Sequence, residues 1–181
     1  MDSSAEEEFR RFVAARLHSL RGLAYLTCGH WQAAEDAAAS TLEKLYGRWD
    51  KVSDPDRYAA RMVVRAAIDQ VRRPWRREVS ASQAFPDAGE PDESEALTER
   101  LRIRAALRQL PPTQRAVLVL RFYEDFSVEE VAEALSRRTG TVKSQTARGL
   151  ATLRRLLAEQ DVAIPEDSVE RTDDERVAQA T

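Results

Sequence analysis

Between Thr139 and Arg155 the chain carries Lys143, Arg148, Arg154 and Arg155 and no acidic residue. Wound as a helix, the stretch puts Val142, Thr146, Gly149, Leu150, Leu153, Leu156 and Leu157 on one side. Thr141, Ser144, Arg148 and Arg155 fall opposite, with Lys143 and Gln145 flanking the apolar stripe. These side chains suit nucleic acid: Lys and Arg reach phosphates or guanine, Gln pairs with an adenine edge, and Ser and Thr permit close approach. A solvated amphipathic helix also has a polar face, so this stretch alone leaves both readings open. A second basic row comprises Arg57, Arg61, Arg65, Arg72, Arg73, Arg76 and Arg77, with Asp69 the one acid among them. Such a row repels itself unless an anion lies against it, and a phosphate backbone is the natural candidate; the alternative is a solvated basic helix.

Other chemistry is hard to find. The two histidines, His18 and His30, share no metal-ligand spacing with carboxylates, so no metal site is expected. The sequence has no glycine-rich phosphate loop, no Gly-x-Ser-x-Gly elbow and no His-Glu-x-x-His pair. No catalytic residue, enzymatic activity or cofactor is therefore expected. Cys28, the single cysteine, cannot form an internal disulfide and reads as a small apolar filler, and His18 reads as a helix-surface residue. No apolar run approaches the length of a membrane span and no charged-then-apolar leader opens the chain, which predicts a cytoplasmic protein without membrane insertion.

The elements that hold the basic residues read as helices. Six glycines in 181 residues, abundant Ala, Leu, Arg and Glu, and few alternating β-branched runs predict an all-α chain. Ser127 followed by Glu130 forms a capping box that starts a short helix with Val128, Val131, Ala132 and Leu135 inward. The polar break Ser136 to Thr139 separates it from the basic helix, giving a helix-turn-helix. Upstream, Phe9, Phe12, Val13, Leu17, Leu20 and Ala24 mark a first helix, and Trp31 to Trp49 a second. A third runs from Pro55 to about Arg73 with Tyr58, Met62, Val63 and Ala66 inward. Leu97, Leu101, Ala105, Leu107 and Leu110 mark a fourth, stopped by Pro111 and Pro112, and Val117, Leu118, Leu120 and Arg121 a fifth that ends near Tyr123.

The net charge of −3 is unevenly placed. Residues 78–96 hold six acids and no base, and residues 158–181 hold eight acids and two arginines; each segment sums to −6, which leaves +9 for the rest. The expected organisation is a helical domain at 1–77, an acidic linker at 78–96 with the composition of a flexible spacer, a helix-turn-helix domain at 97–157 and a disordered acidic tail at 158–181.

The segment LPPTQRAVLVLRFYEDFSVEEVAEALSRRTGTVKSQTARGLATLRRLL, with the basic three-helix stretch before it, resembles the sigma-70 family of RNA polymerase sigma factors. The similarity is to the small extracytoplasmic-function (ECF) group of actinobacterial type. Leu-Pro-Pro-x-Gln-Arg, Tyr-Glu-Asp-Phe-Ser and Gly-Thr-Val-Lys-Ser carry it in the second half. EEEFRRFVAARLHSLRGLAYLTCGHWQAAEDAA and SDPDRYAARMVVRAAIDQVRR carry it in the first. The resemblance implies two small α-helical domains, region 2 and the region 4 helix-turn-helix, and a factor that directs RNA polymerase core to promoters.

By this resemblance Arg138, Thr141, Lys143, Ser144, Gln145 and Arg148 would read the −35 element. Lys51, Val52, Ser53, Arg57, Arg61, Arg65, Asp69, Arg72 and Arg73 would recognise and help open the −10 element. Glu35, Asp36, Leu42, Leu45 and Tyr46 would contact the core enzyme, whose β′ clamp and β flap are the implied docking points. Promoter DNA is the other implied partner, and the class is commonly held by an anti-sigma or accessory protein. Three places depart from the pattern. Gln145 stands where arginine is more usual, which predicts a shifted −35 preference; Arg65 replaces an asparagine; and Ala39 and Ser40 replace a Gln and an acid, which predicts weaker core binding. These departures keep open an alternative, a sigma-like regulator or decoy that does not initiate transcription. The acidic linker is also expected to lie over the basic surfaces of the free chain.

Overall fold

The computed structural model describes residues 3–72 and 94–162, which form helices and turns with no strand among them. Of the linker expected at 78–96, residues 78–93 lie outside the described residues and 94–96 belong to a helix; of the tail expected at 158–181, residues 158–162 are helical and those from 163 onward lie outside the described residues. In α1 (Ser3–Cys28), Glu6 sits in the first turn, favourable to the helix dipole, and pairs with Arg10 one turn on at 2.7 Å. Gly29 ends the helix at φ +79°, a left-handed conformation open to glycine without steric cost, and its N–H bonds the Tyr25 carbonyl at 2.7 Å.

The second helix, α2 (Trp31–Tyr46), stops three residues short of the expected Trp49, because Gly47 caps it onto the Glu43 and Leu45 carbonyls. Trp49 instead opens a 3-10 turn (Trp49–Lys51) and sits edge-on to Phe9 at 5.2 Å. Asp54 then caps α3 (Pro55–Arg72), its Oδ1 accepting the Arg57 N–H at 3.0 Å, and Pro55 fits the first turn.

Helices α1 to α3 close on Leu20, Leu23, Ala24, Ala34, Ala37, Leu45 and the inner side of α3. That inner side differs from the expected one. Ala59, Ala60, Val63, Val64, Ala67 and Ile68 are buried, while Tyr58, Met62 and Ala66 are half-buried. The reason is that α3 is covered on two sides, by α1 and α2 and again by the second half of the chain.

That second half begins with α4 (Ser94–Gln109), three residues earlier than expected. Ala106 and Leu107 on it and Leu110 just past its end are buried, whereas Leu101 and Ala105 are exposed, since its packing on α7 is concentrated toward its C-terminal end. The fifth helix, α5 (Pro112–Leu118), runs on into a π-helical turn (Val119–Tyr123). Then come α6 (Val128–Ala134) and α7 (Thr139–Val162), which continues five residues past Leu157 with an Arg155–Glu159 pair at 2.6 Å. Helices α5 and α7 approach closely at Gly149, where an added Cβ would lie 3.2 Å from the Leu118 side chain.

The two halves share a core. Val119, Leu120, Phe126, Val131, Ala132, Ala134 and Val142 belong to the same buried cluster as the α1–α3 residues. Leu26 of α1 packs against a smaller cluster of Ala106, Leu107, Leu110, Leu118 and Leu156. Arg115 of α5 is buried in the seam, with Nη2 donating to the Arg108 and Leu110 carbonyls at 3.0 and 3.1 Å. Its Nη1 lies 2.9 Å from where a Cβ on Gly29 would stand, so glycine is required there twice over. Cys28 is buried beside it with its thiol 3.3 Å from the His30 carbonyl, and burial pushes that thiol above its ordinary pKa.

Candidate nucleic-acid interface

The helix-turn-helix is fixed at its start by the capping box read from sequence. Ser127 Oγ accepts the Glu130 N–H at 3.1 Å, and Glu130 Oε2 accepts the Ser127 N–H at 2.7 Å. The hydrogen bond from the Ser127 backbone holds the Glu130 carboxyl below the usual glutamate range. After α6 the chain turns through Ser136 at φ +51°, and the Arg137 N–H reaches back to the Ala132 carbonyl at 2.8 Å. Val142 is buried against this unit and sets the rotation of α7.

With α7 locked that way, Arg138, Thr141, Lys143, Ser144 and Arg148 are exposed, and Gln145 is half-buried at the edge of the packed stripe. The face therefore offers cations, one amide and small hydroxyls, the set suited to a DNA groove. Nothing lies within 4 Å of a Cβ position on Gly140, so the start of the face is open.

The second basic region surrounds the loop before α3. Lys51 and Ser53 are exposed, while Val52 is half-buried against the core and anchors the loop. A cavity of about 440 Å³ is lined by Arg48, Lys51, Ser53, Asp54, Tyr58 and Arg61, among others. Of these, Arg48 and Tyr58 were not among the residues expected there: sequence reasoning took Tyr58 as an inward residue and gave Arg48 no role. The turn chemistry at Gly47, directly before Arg48, was the available signal.

Along α3, Arg57, Arg61 and Arg65 recur at four-residue spacing and face α6. Arg57 Nη1 pairs with Glu130 Oε1 at 2.8 Å and the guanidinium lies 4.6 Å from the centre of the Phe126 ring. Arg61 Nη1 donates to Glu133 Oε1 at 2.9 Å, and Arg65 Nη2 donates to Ser136 Oγ at 2.6 Å. Immediately before the row, Asp56 forms an ion pair with Arg16 at 2.6 Å. Glu124 also lies near Arg16, and burial raises its carboxyl above the usual range. Asp69 is exposed; Arg72 ends α3, and Arg73 lies outside the described residues.

The expected core-contact residues separate into two groups. Leu45 is fully buried between the first three helices, so it holds α2 in place and is corrected out of any docking face. Glu35 pairs with Arg21 at 3.6 Å, Asp36 lies 3.5 Å from the Gln32 amide, Leu42 is half-buried and Tyr46 is exposed. Ala39 is exposed between them, and Ser40 Oγ is turned back onto the Ala37 carbonyl at 3.2 Å. No group of three or more His, Cys, Asp or Glu placed to hold a metal occurs among the described residues, and no described helix is long and apolar enough to cross a membrane.

Comparison with known proteins matches this arrangement. Residues 12–77 fit the family model described as Sigma-70 region 2, and residues 100–153 fit Sigma-70, region 4. The RNA polymerase sigma-E factor of Streptomyces avermitilis is 35% identical over 174 residues, covering 94% of this chain and 96% of that one. The ECF RNA polymerase sigma factor SigL of Mycobacterium tuberculosis is 32% identical over 136 residues, 71% of this chain and 77% of the relative. Among solved structures, the sigma factor RpoE of Bartonella quintana, in complex with the anti-sigma factor NepR, shares the fold. Its TM-score is 0.67 at 22% identity, over 84% of this chain and 98% of that one. With both family regions matched and full-length similarity to named relatives, the chain belongs to the sigma-70 family of RNA polymerase sigma factors, in the extracytoplasmic-function group.

Proposed function

We propose that this sigma factor binds RNA polymerase core and carries it to promoters whose −35 element is read by α7 and whose −10 element is read and opened by the Lys51–Ser53 loop and α3. The observation that carries this reading is the pair of basic surfaces on one chain: the exposed Arg138, Thr141, Lys143, Ser144 and Arg148 on α7, and the Arg57, Arg61, Arg65 row beside a basic cavity. Together they supply a duplex-reading helix and a pocket next to phosphate-binding arginines. Strand opening in this scheme is driven by binding energy, with no bond broken by the factor, so the protein is not an enzyme. It works in the cytoplasm, where polymerase and promoter DNA meet. On the core side the exposed edge of α2, with Glu35, Asp36, Leu42 and Tyr46, is the proposed contact.

Run-off transcription with purified core on a library of genomic promoter fragments tests the reading. Core-dependent transcripts sharing two spaced elements are the expected result; a chain that binds core or DNA and yields no transcript is a decoy. Within the same assay, Gln145→Arg should change the base preferred in the −35 element, since glutamine favours adenine and arginine guanine. An unchanged preference removes Gln145 from the readout set.

A further inference from the structure

A cavity of about 670 Å³, sharing no residue with the basic one beside α3, is walled by α1, α4, the π-helical turn and α7. Arg100, Ile103, Arg104 and Leu107 line it from α4 at the spacing of a single helix face. Tyr25 and Leu26 close it from α1, and Leu150 and Leu153, from the packed side of α7, are only half-buried beside it. The π-helical turn supplies an aromatic edge. There the Glu124 N–H reaches the Val119 carbonyl, five residues back, at 3.2 Å, and the wide turn leaves the consecutive rings of Phe122 and Tyr123 each 56% exposed. Phe9 and Phe12 are half-buried and Phe126 is fully buried, so two exposed neighbouring rings beside an apolar recess stand out from how the chain packs its other aromatics.

We propose that this cavity binds a small amphipathic anion: an apolar body fills the space between α1 and α7, and a single carboxylate is held by Arg100 and Arg104. The volume falls in the range of small-molecule sites, roughly 300–1,000 Å³, and apolar walls with a few polar groups are the usual composition of such sites. Charge fixes the ligand class. Arg100 and Arg104 stand one turn apart on the face that lines the cavity, like charges at that spacing repel, and no acidic side chain is among the described residues lining it. A neutral or cationic apolar ligand leaves that repulsion standing. An anion relieves it and accepts charge-assisted hydrogen bonds from both guanidinium groups. Occupancy also leaves the DNA-reading face of α7 clear, since Leu150 and Leu153 lie on the other side of that helix from Thr141, Ser144 and Arg148.

The full-length chain tests this with dodecanoate as the probe, kept below its micellar concentration. Dodecanoate should displace 1-anilinonaphthalene-8-sulfonate from the chain with one-to-one saturation, and should raise the Tm progressively once its concentration exceeds Kd. Dodecanol has the same apolar body without the charge and should bind about tenfold more weakly, the order expected when hydrogen bonds to a charged group are lost. Equal affinity for the two probes overturns the proposal, and so does uptake of dodecanoate without saturation. This comparison uses the wild-type chain alone, so it stands whatever a substitution does to folding.

Substitutions then locate the probe. Arg100→Gln and Arg104→Gln should each weaken dodecanoate binding about tenfold and leave dodecanol as in wild type. Arg108→Gln makes the same charge change on α4 outside the cavity lining and should alter neither. Ile103→Trp, which adds bulk to the wall between the two arginines, should weaken both probes. Equal losses in Arg100→Gln and Arg108→Gln would show attraction by overall charge and overturn the site, as would unchanged binding of both probes in Ile103→Trp.

Discussion

Helices α3 and α7 carry similar rows of basic side chains, but they stand in different surroundings. On α7, Lys143 and Arg148 project from a helix whose packed side is confined to Val142, Gly149 and the leucines, so the polar side meets solvent. On α3 both sides are packed: α1 and α2 cover one, and α5 and α6 cover much of the other, leaving Arg57 and Arg61 half-buried and paired. The lesson is that a run of arginines does not report its own availability. Whether it is open depends on which other element shares its face, and that is decided by distant apolar residues such as Phe126.

Substitutions and pH break or sharpen this contrast. The largest effect is expected from Phe126→Ala, which empties a fully buried site shared by both halves and should cost about 3–5 kcal/mol in a denaturant unfolding titration. It should also expose the α3 arginines. A loss near zero would mean the halves are not joined through this ring.

Next, Arg148→Ala on the open face should weaken −35 duplex binding by about 1–3 kcal/mol in the polymerase-bound factor, measured by fluorescence anisotropy. Arg61→Ala should leave −35 binding unchanged and impair opening of the −10 element, read as loss of permanganate-reactive thymines. Equal effects of the two variants on both elements would erase the functional distinction between the helices.

The smallest effect concerns pH. The Glu130 carboxyl is depressed by its bond to Ser127, so the folded form favours its charged state. Its contribution is present above the ordinary glutamate pKa of 4.5 and is lost as pH falls through the lower folded value. Acidification should therefore loosen the start of α6 and its hold on Arg57, seen as faster amide exchange at Glu130. Glu124, raised by burial, works in the opposite sense: its contribution is complete at low pH and lost as pH rises through its elevated value. Comparison with Glu130→Gln separates the two, since that variant should lose the acid dependence of α6 and keep that of Glu124.

The helices and their caps were largely legible in the sequence, because they depend on neighbours a few residues apart. Ser127 and Glu130 needed only each other to form a capping box, and the stripe from Val142 to Leu157 needed only helical spacing. The motifs around Leu110 and Gly140 were enough to identify the family. Errors arose where a second partner intervened. Of Tyr58, Met62, Val63 and Ala66, read as the inner side of α3, Val63 is buried and Tyr58 and Ala66 pack half-buried against the core. Ala59, Ala60, Val64, Ala67 and Ile68 were not foreseen because one packed face was assumed, whereas two are present. Leu45 looked like a docking residue and is fully buried; Trp49 looked helical and was released by the Gly47 cap.

By itself, then, the sequence determined an all-α chain of two family regions, the start of each major helix to within a few residues, and the composition of both basic faces, since periodicity, caps and charge are local properties. Only the tertiary structure decided which of those faces is open. Packing Phe126, Val131 and Ala134 into the core of the first three helices is a long-range event, and it brings Glu130 and Glu133 onto Arg57 and Arg61 across some seventy positions of chain. The physical reason is that an apolar seam is driven by total buried area, to which no local pattern of charges gives access.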